Sequence, residues 1–206
     1  MNRKLKRWEI SLMCGLAIAI LAGGWLKGEQ EALSSSVIRL HVIANSDDEE
    51  DQRLKLAVRD EVLRCAEKIY PVGADRRQAE AVLNENLPLL AEAGQRVSDR
   101  WGTGDKVTAA LEQCWFPTKE YDGFVLPAGS YRALRVVIGE GKGQNWWCVA
   151  FPPLCMGAAS ETVEEAVLTG SFPARQAALV TGTDKRYVLK LKSLELLGEL
   201  QHFLAN

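Results

Sequence analysis

The 206-residue chain is poor in the side chains that do chemistry. It has two histidines, His41 and His202, far apart in sequence, and its five cysteines form no C-x2-C pair. A zinc site needs three or four nitrogen or sulfur ligands at close spacing, so no metal is expected. No G-x-S-x-G elbow occurs, and no glycine-rich loop leads from a strand into a helix, which leaves no signature for a hydrolase, a cofactor or a small-molecule substrate. Excess positive charge is missing as well. Residues 1–28 hold five basic side chains and one acid, which leaves 20 basic against 26 acidic residues beyond them. A domain of that sign repels phosphates and carries no basic stripe interleaved with aromatics, so no nucleic acid is expected as a partner.

The N-terminus does carry a signal. Residues 1–9 are basic, and Ile10–Leu26 is an uncharged, mostly apolar run of 17 residues. At ~1.5 Å per residue it reaches about 25 Å, somewhat short of a ~30 Å hydrocarbon layer. Residues 10–26 therefore fit either a signal-peptide core or a short uncleaved anchor, with the following chain translocated. Ala22-Gly23-Gly24 is the best cleavage candidate, although bulky Trp25 follows it. Residues 27–36 are polar and serine-rich, suited to a linker, and 37–206 form a single extracytoplasmic domain.

Within that domain VIRLHVIA (Val37–Ala44) reads as a central strand, and Ser46 with Glu49 as a capping box opening a helix. Leu54, Val58, Val62, Cys65 and Ile69 make one apolar stripe of that helix, with Pro71 and Gly73 ending it. A second helical region runs from about Asp75 to Trp101, with Pro88 forcing a break near Asn86. Val107–Trp115 reads as a strand and Phe116–Pro127 as an irregular excursion or a second strand. Tyr131–Ile138 and Asn145–Phe151 read as a hairpin joined by GEGKGQ, with Pro152-Pro153 ending it. Residues 157–186 suggest a short helix and a loop, Tyr187–Lys192 a strand, and Ser193 the cap of a final helix. The fold class is α+β: a mainly antiparallel sheet with helices packed on one face, preceded by the N-terminal membrane or signal segment.

Two constellations are candidates for chemistry. Cys148 and His41, with Asn45, are candidates for the nucleophile and base of a cell-envelope cysteine hydrolase, yet apolar neighbours raise a thiol's pKa and mute it. Cys148 and Cys155 flank the Pro-Pro turn and are within reach of a disulfide. The acids Asp47–Asp51 match a helix dipole better than they match a calcium loop. Two further places suit a partner surface: the strand-to-helix junction Asn45-Ser46-Asp47-Asp48, and Trp146-Trp147 with Pro152-Pro153-Leu154. Adjacent strand residues face opposite ways, so one tryptophan is free to anchor an interface.

IRLHVIANSDDEEDQRLKLAVRDEVL (Ile38–Leu63), the FPTKEY segment (Phe116–Tyr121) and LPAGSYRALRVVIGEGKGQNWWCVAFPPLC (Leu126–Cys155) together resemble stage II sporulation protein R of endospore-forming bacteria. NWWCVAFPPLC and ANSD are the most specific strings, and beyond Cys155 the likeness fades. The resemblance implies a signal made in the forespore and exported into the space between the two sporulation membranes. There it would activate a membrane-embedded aspartic protease of the mother cell, which processes the mother-cell pro-sigma factor. It also implies an activator that is no enzyme itself.

Overall fold

The computed structural model describes residues 6–121, 123–154 and 163–181. The chain opens with helix α1 (Arg7–Ser34). Leu12, Met13, Leu16, Ile18, Ile20 and Leu21 are each more than half exposed, so the folded domain leaves these apolar side chains uncovered. Among the described residues no helix is long and apolar enough to cross a membrane. The stretch expected as a linker is helical up to Ser34, and Leu33 is fully buried. Three serines then close the helix end. Ser34, Ser35 and Ser36 hydroxyls donate to the carbonyls of Glu31, Ala32 and Leu33 at 3.2, 2.9 and 2.7 Å, satisfying acceptors that a helix end leaves open.

Strand β1 (Ile38–Ile43) leads into helices α2 (Glu49–Ile69), α3 (Arg76–Glu85) and α4 (Leu87–Trp101). Asn86 separates α3 from α4 and Pro88 sits in the first turn of α4, where a missing N–H costs nothing. Strands β2 (Val107–Phe116), β3 (Lys119–Tyr121), β4 (Phe124–Leu126), β5 (Gly129–Ile138) and β6 (Asn145–Phe151) follow, then short helices α5 (Val163–Leu168) and α6 (Ala174–Val180). The expected final strand and helix, with His202, lie outside the described residues, as does Cys155.

The four-stranded sheet has the order β2-β5-β1-β6, and β3 pairs with β4 alone. It is mixed and mostly antiparallel: β1 runs parallel to β5 and antiparallel to β6, and β2 is antiparallel to β5. The expected direct hairpin between β5 and β6 is therefore corrected, because β1 lies between them. Skipping one strand means spanning about 10 Å, and six linking residues reach about 20 Å, so loop length permits either pairing.

The expectation of helices on one face is corrected too. Strand alternation sends Leu40, Val42, Leu134 and Val136 to one side, against Leu54, Val58, Val62, Leu83 and Leu90 of α2–α4. The other side is also covered. Tyr131, Ala133 and Val149 pack there with Leu33 of α1, Phe124 and Leu126 of the small hairpin, and Val163, Ala166 and Ala177 of α5 and α6.

Candidate functional site

The β1–α2 junction is a tightly wired corner. Asn45 Nδ2 and the Ser46 hydroxyl both donate to Asp51 Oδ2, at 3.0 and 2.7 Å. Asp48 N donates to Ser46 Oγ at 3.1 Å, and Gln52 Nε2 to the Ser46 carbonyl at 2.8 Å. The expected Ser46–Glu49 capping box does not form: Asp48 is the cap residue of α2, and Ser46 turns to Asp51 instead. One helical turn further on, Asp51 reaches the bend, whereas exposed Glu49 forms an ion pair with Arg53 at 2.5 Å.

The loop Gly139–Gln144, expected as an ordinary hairpin turn, wraps this corner. Glu140 N donates to Asn45 Oδ1 at 2.9 Å, and Gln144 N to Asp47 Oδ1 at 2.7 Å. Lys142 N and Gly143 N donate to the carbonyls of Asn45 and Ala44, both at 3.0 Å. A Cβ at Gly139, whose φ is +56°, would strike the Asn45 side chain, and one at Gly143 would strike the Ser46 carbonyl. Lys55 completes the knot from α2. Its Nζ donates to Gln52 Oε1 at 2.5 Å and to the Gln144 carbonyl at 3.0 Å. Burial lowers its pKa, with Asp47 acting in the opposite sense. The spacing of three glycines two apart in GEGKG was the one available signal that this loop hugs another backbone.

Trp146 rises beside the corner. It is 37% exposed, and the Arg59 guanidinium lies 4.5 Å from its ring centroid. Arg59 therefore does more than pair with Asp60, to which its Nε donates at 2.7 Å: it holds the indole upright against α2. Trp147 points to the other face, half-buried, with its ring 6.3 Å from His41 and 5.1 Å from Lys119 Nζ. Asn45, Ser46, Asp47, Asp48 and Trp146 thus share one end of the sheet. Pro152, Pro153 and Leu154 do not join them, because β6 carries the chain about 20 Å away. There the Phe151–Pro152 peptide is cis, and Pro153 lines a cleft with Tyr70, Val72 and Phe151.

The cysteine–histidine pair is overturned. Leu40 is the partner of Cys148 and His41 that of Trp147, so the thiol and the imidazole project from opposite faces of the sheet. Cys148 is buried and disulfide-bonded, and Cys14, Cys65 and Cys114 are free. The expected partner, Cys155, lies outside the described residues. His41 Nε2 is 2.8 Å from Asn145 Oδ1, its buried Nδ1 has no partner, and burial lowers its pKa. The Cys114 thiol is pushed up to about 11, first by burial and then by Glu112. Among the described residues no group of His, Cys, Asp and Glu is placed to hold a metal.

Sequence reasoning missed Arg39 altogether. Its side chain is wholly buried on the second face, 4.1 Å from the Phe116 ring and 5.1 Å from that of Tyr131. Nη2 donates to the Tyr121 hydroxyl at 2.5 Å, Nε reaches the Cys148 carbonyl at 3.5 Å, and Nη1 has no partner. Tyr121 in turn donates to the Trp147 carbonyl at 3.2 Å, so the arginine ties the small hairpin to the edge of the sheet.

The family model described as stage II sporulation protein R matches residues 34–161. Stage II sporulation protein R of Bacillus subtilis (strain 168) is 35% identical over 123 residues, which cover 60% of this chain. The match spans 55% of that relative's own length. No solved structure matches.

Proposed function

Because the chain belongs to the stage II sporulation protein R family, we propose that it is a sporulation signal exported from the forespore into the space between the two sporulation membranes. Residues 10–26 direct that export. The receiver is the membrane-embedded aspartic protease of the mother cell, which then processes the mother-cell pro-sigma factor. The chain itself cleaves nothing in this scheme.

A signal of this kind acts by binding the active state of its receiver more tightly than the inactive one. Trp146 at the wired corner is the observation that carries the reading. A half-exposed indole held by Arg59, beside backbone fixed by the Gly139–Gln144 loop, is a preorganised anchor that loses little entropy on docking. The Cys148–His41 pair that a cysteine hydrolase would need does not meet, because the two side chains project from opposite faces of the sheet.

The test is reconstitution. The full chain is added to vesicles carrying the protease and the pro-sigma factor, and precursor cleavage is followed over time. Trp146→Ala is expected to lower the activation rate at least tenfold, a loss of about 1.4 kcal/mol or more, with an unchanged melting temperature. His41→Gln is expected to leave it unchanged. Cleavage that proceeds without this chain, or a Trp146→Ala variant as active as the parent, would sink the proposal.

A further inference from the structure

Gln144 lies one position before β6, beyond the last rung of the ladder, where Ile43 faces Asn145. Side chains bond both of its backbone groups. Its N–H donates to Asp47 Oδ1 at 2.7 Å, and its carbonyl accepts from Lys55 Nζ at 3.0 Å. β6 is an edge strand of the four-stranded sheet, so among the described residues its only strand neighbour there is β1. The end of such a strand frays unless another element holds it. Two residues further on stands Trp146, opposite Val42 and on the face that α2 covers.

The side chain that grips this entry is an unusual one to bury. Lys55 is 4% exposed, and an ammonium leaves water at a cost that its hydrogen bonds must offset. One of those bonds, to Gln52 Oε1, stays within α2. The other, to the Gln144 carbonyl, ties α2 to the start of β6. Four residues along, on the same side of the helix, Arg59 lies 4.5 Å from the Trp146 ring centroid. At the far end the Tyr70 hydroxyl donates to the Ala150 carbonyl at 3.1 Å, so α2 runs alongside β6 in the same direction. Four helical residues rise about 6 Å and two strand residues span about 6.6 Å, so the grips at 144 and 146 match in pitch.

We propose that Lys55 is a positioning residue for Trp146: by gripping the backbone at Gln144 it fixes where β6 begins, and with it the place of the indole that Arg59 holds upright. The inference rests on the role given to Trp146 above and adds to it a residue set back from the surface.

Fluorine NMR on the full chain, grown with 5-fluorotryptophan, tests this with no protease present. The six tryptophans give separate resonances, and Trp146→Phe identifies the one from Trp146. Lys55→Met keeps the apolar stem and removes the ammonium. It is expected to move the Trp146 resonance toward its position in urea and to leave the others in place. A Trp146 resonance that does not move would overturn the proposal. Lys55→Gln, too short to reach the Gln144 carbonyl, takes its place if circular dichroism shows Lys55→Met to be unfolded. The activation assay then separates positioning from general support of the fold. Lys55→Met should lower the rate about fivefold in the parent and less than about twofold in the Trp146→Ala background. Equal losses in both backgrounds would mean that Lys55 acts on the fold at large, and would overturn the proposal. A shifted resonance together with a Trp146→Ala variant as active as the parent would sink the activation reading alone and support the positioning of the indole.

Discussion

The two faces of the sheet are held by different physics. Against α2–α4 the core is aliphatic, and Leu40, Val42, Leu54, Val58 and Val62 are wholly buried without a polar atom among them. Across the sheet, the side chain of Arg39 sits among Phe116, Tyr121 and Tyr131, and among the described residues no carboxylate forms an ion pair with it. The first face derives its stability from removing hydrocarbon from water, which tolerates imperfect geometry. The second depends on cation–π contacts and on the few hydrogen bonds that Arg39 does make, since a buried charge without them is costly. One face is a generic adhesive and the other is a fitted joint.

Breaking the joint should have the largest effect. Arg39→Ala is expected to destabilise the protein by about 3–5 kcal/mol in urea titration, combining a large cavity with the loss of the hydrogen bonds to the Tyr121 hydroxyl and the Cys148 carbonyl. Arg39→Met restores most of the volume and should cost less, about 1–3 kcal/mol. Equal losses for the two would mean that the charge and its hydrogen bonds decide the second face and volume does not.

The aliphatic face is probed by adding an atom. A Cβ at Gly94 would lie 2.8 Å from Val107 Cγ1 and 3.2 Å from Val58 Cγ1, where α4 meets α2 and the sheet. Gly94→Ala should therefore cost about 1–3 kcal/mol by overpacking, despite the better helix propensity of alanine. A neutral or stabilising result would show that this face is looser than its burial suggests.

Two smaller effects concern the polar side. His41 has a folded pKa below its unfolded value of about 6.5, so the unfolded chain binds the proton more readily. Stability from this group is complete above about pH 6.5 and is lost as pH falls from there through the folded pKa. His41→Gln should flatten that part of the stability–pH curve while leaving the pH 8 value nearly unchanged. Cys114, with its pKa near 11, should resist iodoacetamide at pH 7.5 in the folded protein and react on denaturation.

The contrast between the faces also marks what the sequence made legible. Leu54, Val58 and Val62 declared α2 by their spacing, and Pro88 declared the break at Asn86, because those signals are local. Arg39 and His41 alternate with Leu40 and Val42, a pattern that ordinarily marks a solvent face. Nothing local says that a β3–β4 hairpin more than 80 residues later will cover them. For the same reason GEGKGQ looks like a turn between paired strands. Alternation fixes which way a side chain points and is silent about which strand lies alongside. At the corner, Asn45-Ser46-Asp47 was recognisable as a polar helix start, but its partners Glu140 and Gln144 come from a distant loop.

The placement of β1 bears on the order in which the molecule can assemble. Among the described residues, the strand made first becomes an inner strand of the sheet, and both of its neighbours, β5 and β6, are the last strands made. While the ribosome works through the intervening residues, the helices can coil on short-range contacts, but β1 has no partner to bond. Its closure is a long-range event, slow by the usual relation between folding rate and sequence separation. A chain with this topology cannot bond both edges of β1 until residues up to Phe151 have been supplied.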